Sequence, residues 1–212
     1  PMPSLVSRFH LLLLAVTLAI TGVALLRIPP DFAFPAHWSG SAADWLWPRD
    51  PALAGAPLLA IATVLVFFVI GRLLSKNQFA KSQHILDPAL SLLLAILAAT
   101  QLGLLLAGIG SDLDAIRLTG FGLGVVLLVL GVVLFEAERH TYAGLRMPWP
   151  IASDTAWTLV HRATGVTTFL AGLALLALAW FDMGIGVLVL AFAAAVILPG
   201  LVAGLSSLLT RD

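Results

Sequence analysis

Six long apolar runs decide what this chain can fold into. They cover residues 9–26, 52–74, 88–108, 115–135, 163–181 and 184–205. A helix needs about 20 apolar residues to cross a hydrocarbon layer roughly 30 Å thick, and each run is close to that length. The chain is 60% hydrophobic and 10% charged, with mean hydropathy +1.06, whereas a soluble domain carries about 25% charged residues. A chain of 212 residues could not hide so much apolar surface in one aqueous core. Stretches such as "LVLGVVLF" have strand propensity, but an open strand in lipid leaves backbone groups unpaired, whereas a helix pairs its own. The first run is too long, and too weakly flanked by a cleavage site, for a removed signal peptide, so it counts as a span. The expected fold class is all-α: a polytopic membrane protein with six transmembrane helices.

The basic residues orient it. With a cytoplasmic N-terminus, the inner side holds Arg8, Arg72, Lys76, Lys81, Arg139, Arg146, Arg162 and Arg211, and the outer side only Arg27, Arg49 and Arg117. That asymmetry places both termini in the cytoplasm. The third and fifth connections are short, which predicts antiparallel neighbours for helices three and four and for five and six. The second connection, "SKNQFAKSQHILD", reads as a plain basic cytoplasmic loop. Gly120 with Gly124, and Gly200 with Gly204, have the spacing of close helix contacts in lipid, and Thr100 and Gln101 read as polar glue between helices. The chain divides into a two-helix unit over 1–75, with a structured extracytoplasmic loop at 28–51, and a four-helix membrane domain over 76–212. Zero net charge gives no pull toward nucleic acid, and the absence of cysteine excludes disulfides and thiolate chemistry.

Two connections carry more polar and aromatic residues than a linker needs. In 28–51, Pro29, Pro30 and Pro35 hold the chain extended, and Ser39, Gly40 and Ser41 supply a turn. His37 and Asp44 are near enough in sequence for that turn to bring them together. Trp38, Trp45 and Trp47 fit either headgroup anchors of a stiff loop or a structured outer surface that contacts a ligand. In 138–165, Gly144 permits a turn that a β-carbon would resist, and Pro148 and Pro150 bracket Trp149. Ser153 or Asp154 can cap a helix. Trp157, His161 and Gly165 share one helix face, in a juxtamembrane turn with Trp157 at the interface. Arg162 can pair with Asp154, Glu136 or Glu138. An interfacial anchor and a folded cap are both open from the residues alone.

Enzyme chemistry finds little support. Ser153, Asp154 and His161 suggest a triad, but helix caps use the same residues and no G-x-S-x-G elbow is present. No H-E-x-x-H or phosphate loop occurs, no histidine lies at mid-membrane to hold haem, and His140 with His161 makes only two metal ligands without a carboxylate partner, so no cofactor or metal is expected. A small transporter is the alternative function, although the spans lack central charges.

The order of residues in "GLRMPWPIASDTAWTLVHRATG" resembles the signature of the SdpI family of bacterial membrane proteins. Gly144, Arg146, Pro148, Trp149, Trp157, His161, Arg162 and Gly165 match its spacing. Met147, Pro150 and His140 depart from it. Pro35, His37, Trp38, Gly40 and Asp44 are similar to the proline-rich domain often fused to this family. The resemblance implies a six-helix immunity or receptor protein of the bacterial inner membrane. The family's namesake protects a cell from a secreted peptide toxin and holds a transcriptional repressor at the membrane. The implied partners are membrane lipid, a peptide toxin or signal outside, meeting His37, Trp38, Asp44 and Trp45, and a repressor inside. No direct nucleic-acid contact is implied. The cytoplasmic residues from Gly144 to Gly165 would form a rigid platform.

Overall fold

The computed structural model describes residues 4–39, 41–139, 144, 145, 147 and 149–211. Among them are helices α1 (Arg8–Arg27), α2 (Arg49–Leu73), α3 (Lys76–Gly108), α4 (Ala115–Phe135), α5 (Asp154–Phe181) and α6 (Ile185–Leu209), with strands β1 (Ala33–Ser39) and β2 (Ala42–Pro48) between α1 and α2. All six helices are long and apolar enough to cross a membrane. Their surfaces confirm the solvent: Leu58, Leu65, Val129 and Leu170 are each more than half exposed. A water-soluble fold would bury such residues; hydrocarbon has no need to. The protein is a multi-pass helical membrane protein.

The chain divides into two compact units, Pro1–Thr119 with Met183–Val189, and Gly120–Asp182 with Leu190–Asp212. In the first, α1, α2 and α3 pack on one another around Ala60, Val64, Leu90 and Leu94. Buried polar groups join the three. His10 accepts from its own cap at Ser7 N–H (2.9 Å) and reaches Ser91 Oγ (3.0 Å) and the Asp87 carbonyl (3.1 Å) with its other nitrogen. Gln101 Nε2 donates to Thr21 Oγ1 (2.7 Å) and to the Leu53 carbonyl (2.8 Å). That carbonyl lies four residues before Pro57, inside α2, and proline has no N–H to return to it. Gln101 therefore supplies the bond that the helix cannot, which explains a buried glutamine in a span.

The second connection is not a loop. Residues 76–87 form the first turns of α3, which runs on through Pro88. Ser75 and Gln78 cap each other's backbone, a reciprocal arrangement that starts a helix strongly. Phe79 then buries itself with Leu5 and Leu74. Polarity suggested a loop there; the cap and this apolar anchor outweigh it.

In the second unit, α4 and α5 meet through glycines. A β-carbon on Gly131 would stand 2.8 Å from the Gly165 carbonyl oxygen, and one on Gly172 2.8 Å from that of Gly124. These two pairs set an antiparallel register in which backbone touches backbone, maximising dispersion contact where no hydrophobic drive exists. Of the two expected glycine pairs, Gly124 takes part in this contact, whereas Gly200 and Gly204 have nothing within 4 Å.

Candidate functional site

The 28–51 segment is an antiparallel hairpin. Alternation along β1 turns Phe34 and Ala36 inward, both fully buried, while Trp38 and Trp45 stay exposed. The register slips between Pro35 and His37 and again between His37 and Trp38, and such bulges re-aim side chains. His37 Nδ1 and Asp44 Oδ1 meet at 2.5 Å, so the expected pairing forms, on an exposed face beside both tryptophans. Gly40 lies outside the described residues.

The hairpin is held at its base and along β1. Arg49 Nη1 donates to the carbonyls of Ile28 (2.8 Å) and Leu25 (3.3 Å), closing the C-terminus of α1, and its Nε pairs with Asp50 at 2.8 Å. Gly184, at φ +124, presses on β1: a β-carbon there would stand 2.9 Å from the His37 Cα. Arg49 counted only as an outer-side charge in the sequence, and Gly184 carried no signal, because its partner is more than 140 residues away.

The 136–153 connection is tied down by α5. Ser153 caps that helix, accepting from Ala156 N–H at 3.1 Å. Trp157 Nε1 donates to the Ala137 carbonyl (3.0 Å) and its ring stacks on His161 at 3.9 Å. His161 is fully buried. Its Nε2 accepts from Leu145 N–H (2.8 Å), and its Nδ1 lies 2.8 Å from the Trp157 carbonyl. A backbone N–H can only donate and a carbonyl can only accept, so the ring is neutral with its proton on Nδ1. Gly144 lies against the same rings: a β-carbon would be 2.7 Å from the Trp157 indole. Trp149 Nε1 donates to Ser207 Oγ of α6 at 3.2 Å.

These contacts make a latch. Trp157 is buried and clamps the connection, because its N–H closes the end of α4. Asp154 pairs with Arg139 (2.8 Å), which also reaches the Ala152 carbonyl (3.2 Å). Arg162 instead lies over the Phe135 ring at 5.3 Å. Ser153, Asp154 and His161 are thus committed to separate partners. Gly165 serves the α4–α5 contact. Arg146, Pro148 and His140 lie outside the described residues. In the sequence Arg139 reads only as an inner-side charge and Ala137 carries no signal; the fold brings them to Asp154 and Trp157.

A multi-pass helical membrane protein with a stapled polar connection at one helix end is the class these features define. Comparison with known proteins narrows it. Residues 136–205 match the SdpI/YfhL protein family. Over 165 residues the chain is 25% identical to the immunity protein SdpI of Bacillus subtilis (strain 168), covering 76% of each chain. No solved structure matches. The two matches support the SdpI family, as the pattern from Gly144 to Gly165 implied.

Proposed function

We propose that this chain is an immunity or receptor protein of the bacterial inner membrane, with both termini in the cytoplasm and the hairpin outside. The likeness to an immunity protein supports the first part, and the excess of basic residues near the inner connections supports the orientation. The observation that carries the binding reading is the hairpin surface: Trp38 and Trp45, both exposed, flank the His37–Asp44 pair. Exposed aromatics on a rigid frame, next to a polar pair, are what a peptide contact needs. This surface meets a peptide toxin or signal.

The latch is the corresponding platform at the other membrane face. Gly144, Trp149, Trp157, His161 and Gly165 hold its shape, and Arg162 belongs to the surface offered to a cytoplasmic regulator; Arg146 and Pro148, outside the described residues, are further candidates for that contact. Signalling requires that peptide outside bias two states of that platform.

The test is survival of a strain that encodes this chain, deleted for it and re-expressing it, in the presence of the peptides that strain secretes. Wild type should protect. The Trp38→Ala, Asp44→Ala double variant, at equal membrane level, should not. Equal protection by the variant refutes the hairpin surface; no loss of survival on deletion refutes the immunity reading.

A further inference from the structure

From the contacts of α5 we infer that its first turns bind one phospholipid with a primary-amine headgroup, of the phosphatidylethanolamine class. Two concavities meet there. A polar one of about 430 Å³ lies between Phe135, Glu136, Arg139, Thr158 and Arg162. An apolar groove of about 730 Å³ continues along Leu159, Ala163 and Val166. They share Asp154, Thr158 and Arg162, which recur every four residues and so form one stripe of the helix.

The charges select the headgroup. Asp154 and Arg139 are already paired. Arg162 and Glu136 are exposed, and among the described residues neither makes an ion pair, with each other or with another group. Arg162 lies over the Phe135 ring, and its guanidinium carries five N–H donors suited to a phosphate. Glu138 lines the same concavity and is already engaged, so Glu136 is the carboxylate offered to an ammonium. A choline headgroup cannot donate hydrogen bonds to it, and a glycerol headgroup brings no cation. The depth fits as well. Trp180, 70% exposed, is a natural interfacial residue at the far end of α5. Arg162 is 18 residues earlier, about 27 Å along a helix and close to the thickness of the hydrocarbon layer. Arg162 therefore stands at phosphate height, and the groove passes it to reach Ala163 and Val166, where the start of an acyl chain can lie on the bilayer side.

The experiment reconstitutes the full-length protein in bilayers holding equal phosphatidylethanolamine, phosphatidylcholine and phosphatidylglycerol with identical chains. Retained lipid is then read by native mass spectrometry after gentle extraction. Phosphatidylethanolamine should be retained preferentially. Arg162→Ala and Glu136→Gln should each lower its retention about tenfold, equal to about 1.4 kcal/mol. Val166→Trp, which fills the groove and leaves the headgroup residues intact, should lower retention of the same lipid, whereas Leu58→Trp on another lipid-facing surface should not. Equal retention of all three lipids by the wild type would overturn the proposal. So would phosphatidylethanolamine retention that survives both Glu136→Gln and Val166→Trp.

Discussion

Replacing Gln101 by leucine tests the physical core of the first unit. The change removes two hydrogen bonds, to Thr21 Oγ1 and to the Leu53 carbonyl. Thr21 keeps its own donation to the Thr17 carbonyl at 2.8 Å, so it loses only an acceptor contact. Leu53 loses more, because Pro57 cannot donate back along the helix. Side-chain hydrogen bonds between membrane helices average about 0.6 kcal/mol and reach about 1.7; an unpaired buried carbonyl adds about 1–3 kcal/mol. Gln101 Oε1 has no partner among the described residues, so leucine also relieves a desolvation cost. The expected loss is near the lower end, about 1.5–2 kcal/mol. A Pro57→Ala background returns an N–H to Leu53, and the same substitution should then cost about 1 kcal/mol less. The assay is reversible unfolding in mixed detergent–SDS micelles, followed by tryptophan fluorescence over the four variants. A coupling energy below about 0.3 kcal/mol, within ordinary additivity error, would refute the link between glutamine and proline.

Gly165→Ala should destabilise the protein by more than about 2 kcal/mol, because its β-carbon would stand 2.7 Å from both the Gly131 oxygen and the Phe135 nitrogen. Gly200→Ala, in open space, should be neutral or gain up to about 1 kcal/mol of helix propensity; thermal denaturation in detergent compares them. Trp157→Phe removes the bond to the Ala137 carbonyl and the part of the indole that lies against Gly144, and should cost at least about 1 kcal/mol, with faster proteolysis of the 136–153 connection as the readout. Nitrogen-15 NMR of the histidines should show His161 as the Nδ1–H tautomer; an Nε2–H signal would contradict the Leu145 contact.

Much of this architecture is legible because lipid imposes a simple rule. Apolar length sets the spans, and all six occur where the runs are. The exceptions share a cause. Residues 76–87 look like a loop by polarity, yet the Ser75–Gln78 cap and Phe79 make them helical, and a cap reads in sequence only if it is sought. Spacing offers Arg162 three acids, Asp154, Glu136 and Glu138; Asp154 instead pairs with Arg139, a contact between the two ends of the connection that no helix ladder foretells. Gly131 and Gly172 give no signal in the sequence, because their seven-residue spacing to Gly124 and Gly165 is not the four-residue pattern. Of the candidate site, the His37–Asp44 pair and the Trp157–His161 face were visible as spacings. What His161 does with both nitrogens was not, because Leu145 is a backbone donor and any residue but proline could stand there.

The account depends on the hairpin and the latch facing opposite sides of a membrane, and sided cysteine labelling measures that directly. The chain has no cysteine of its own, so single cysteines at Ser41 and Ala152 report without background. An impermeant maleimide applied to intact cells should label Ser41→Cys at once and Ala152→Cys only after the membrane is opened. Labelling of both from outside, or of Ala152→Cys alone, would contradict the arrangement.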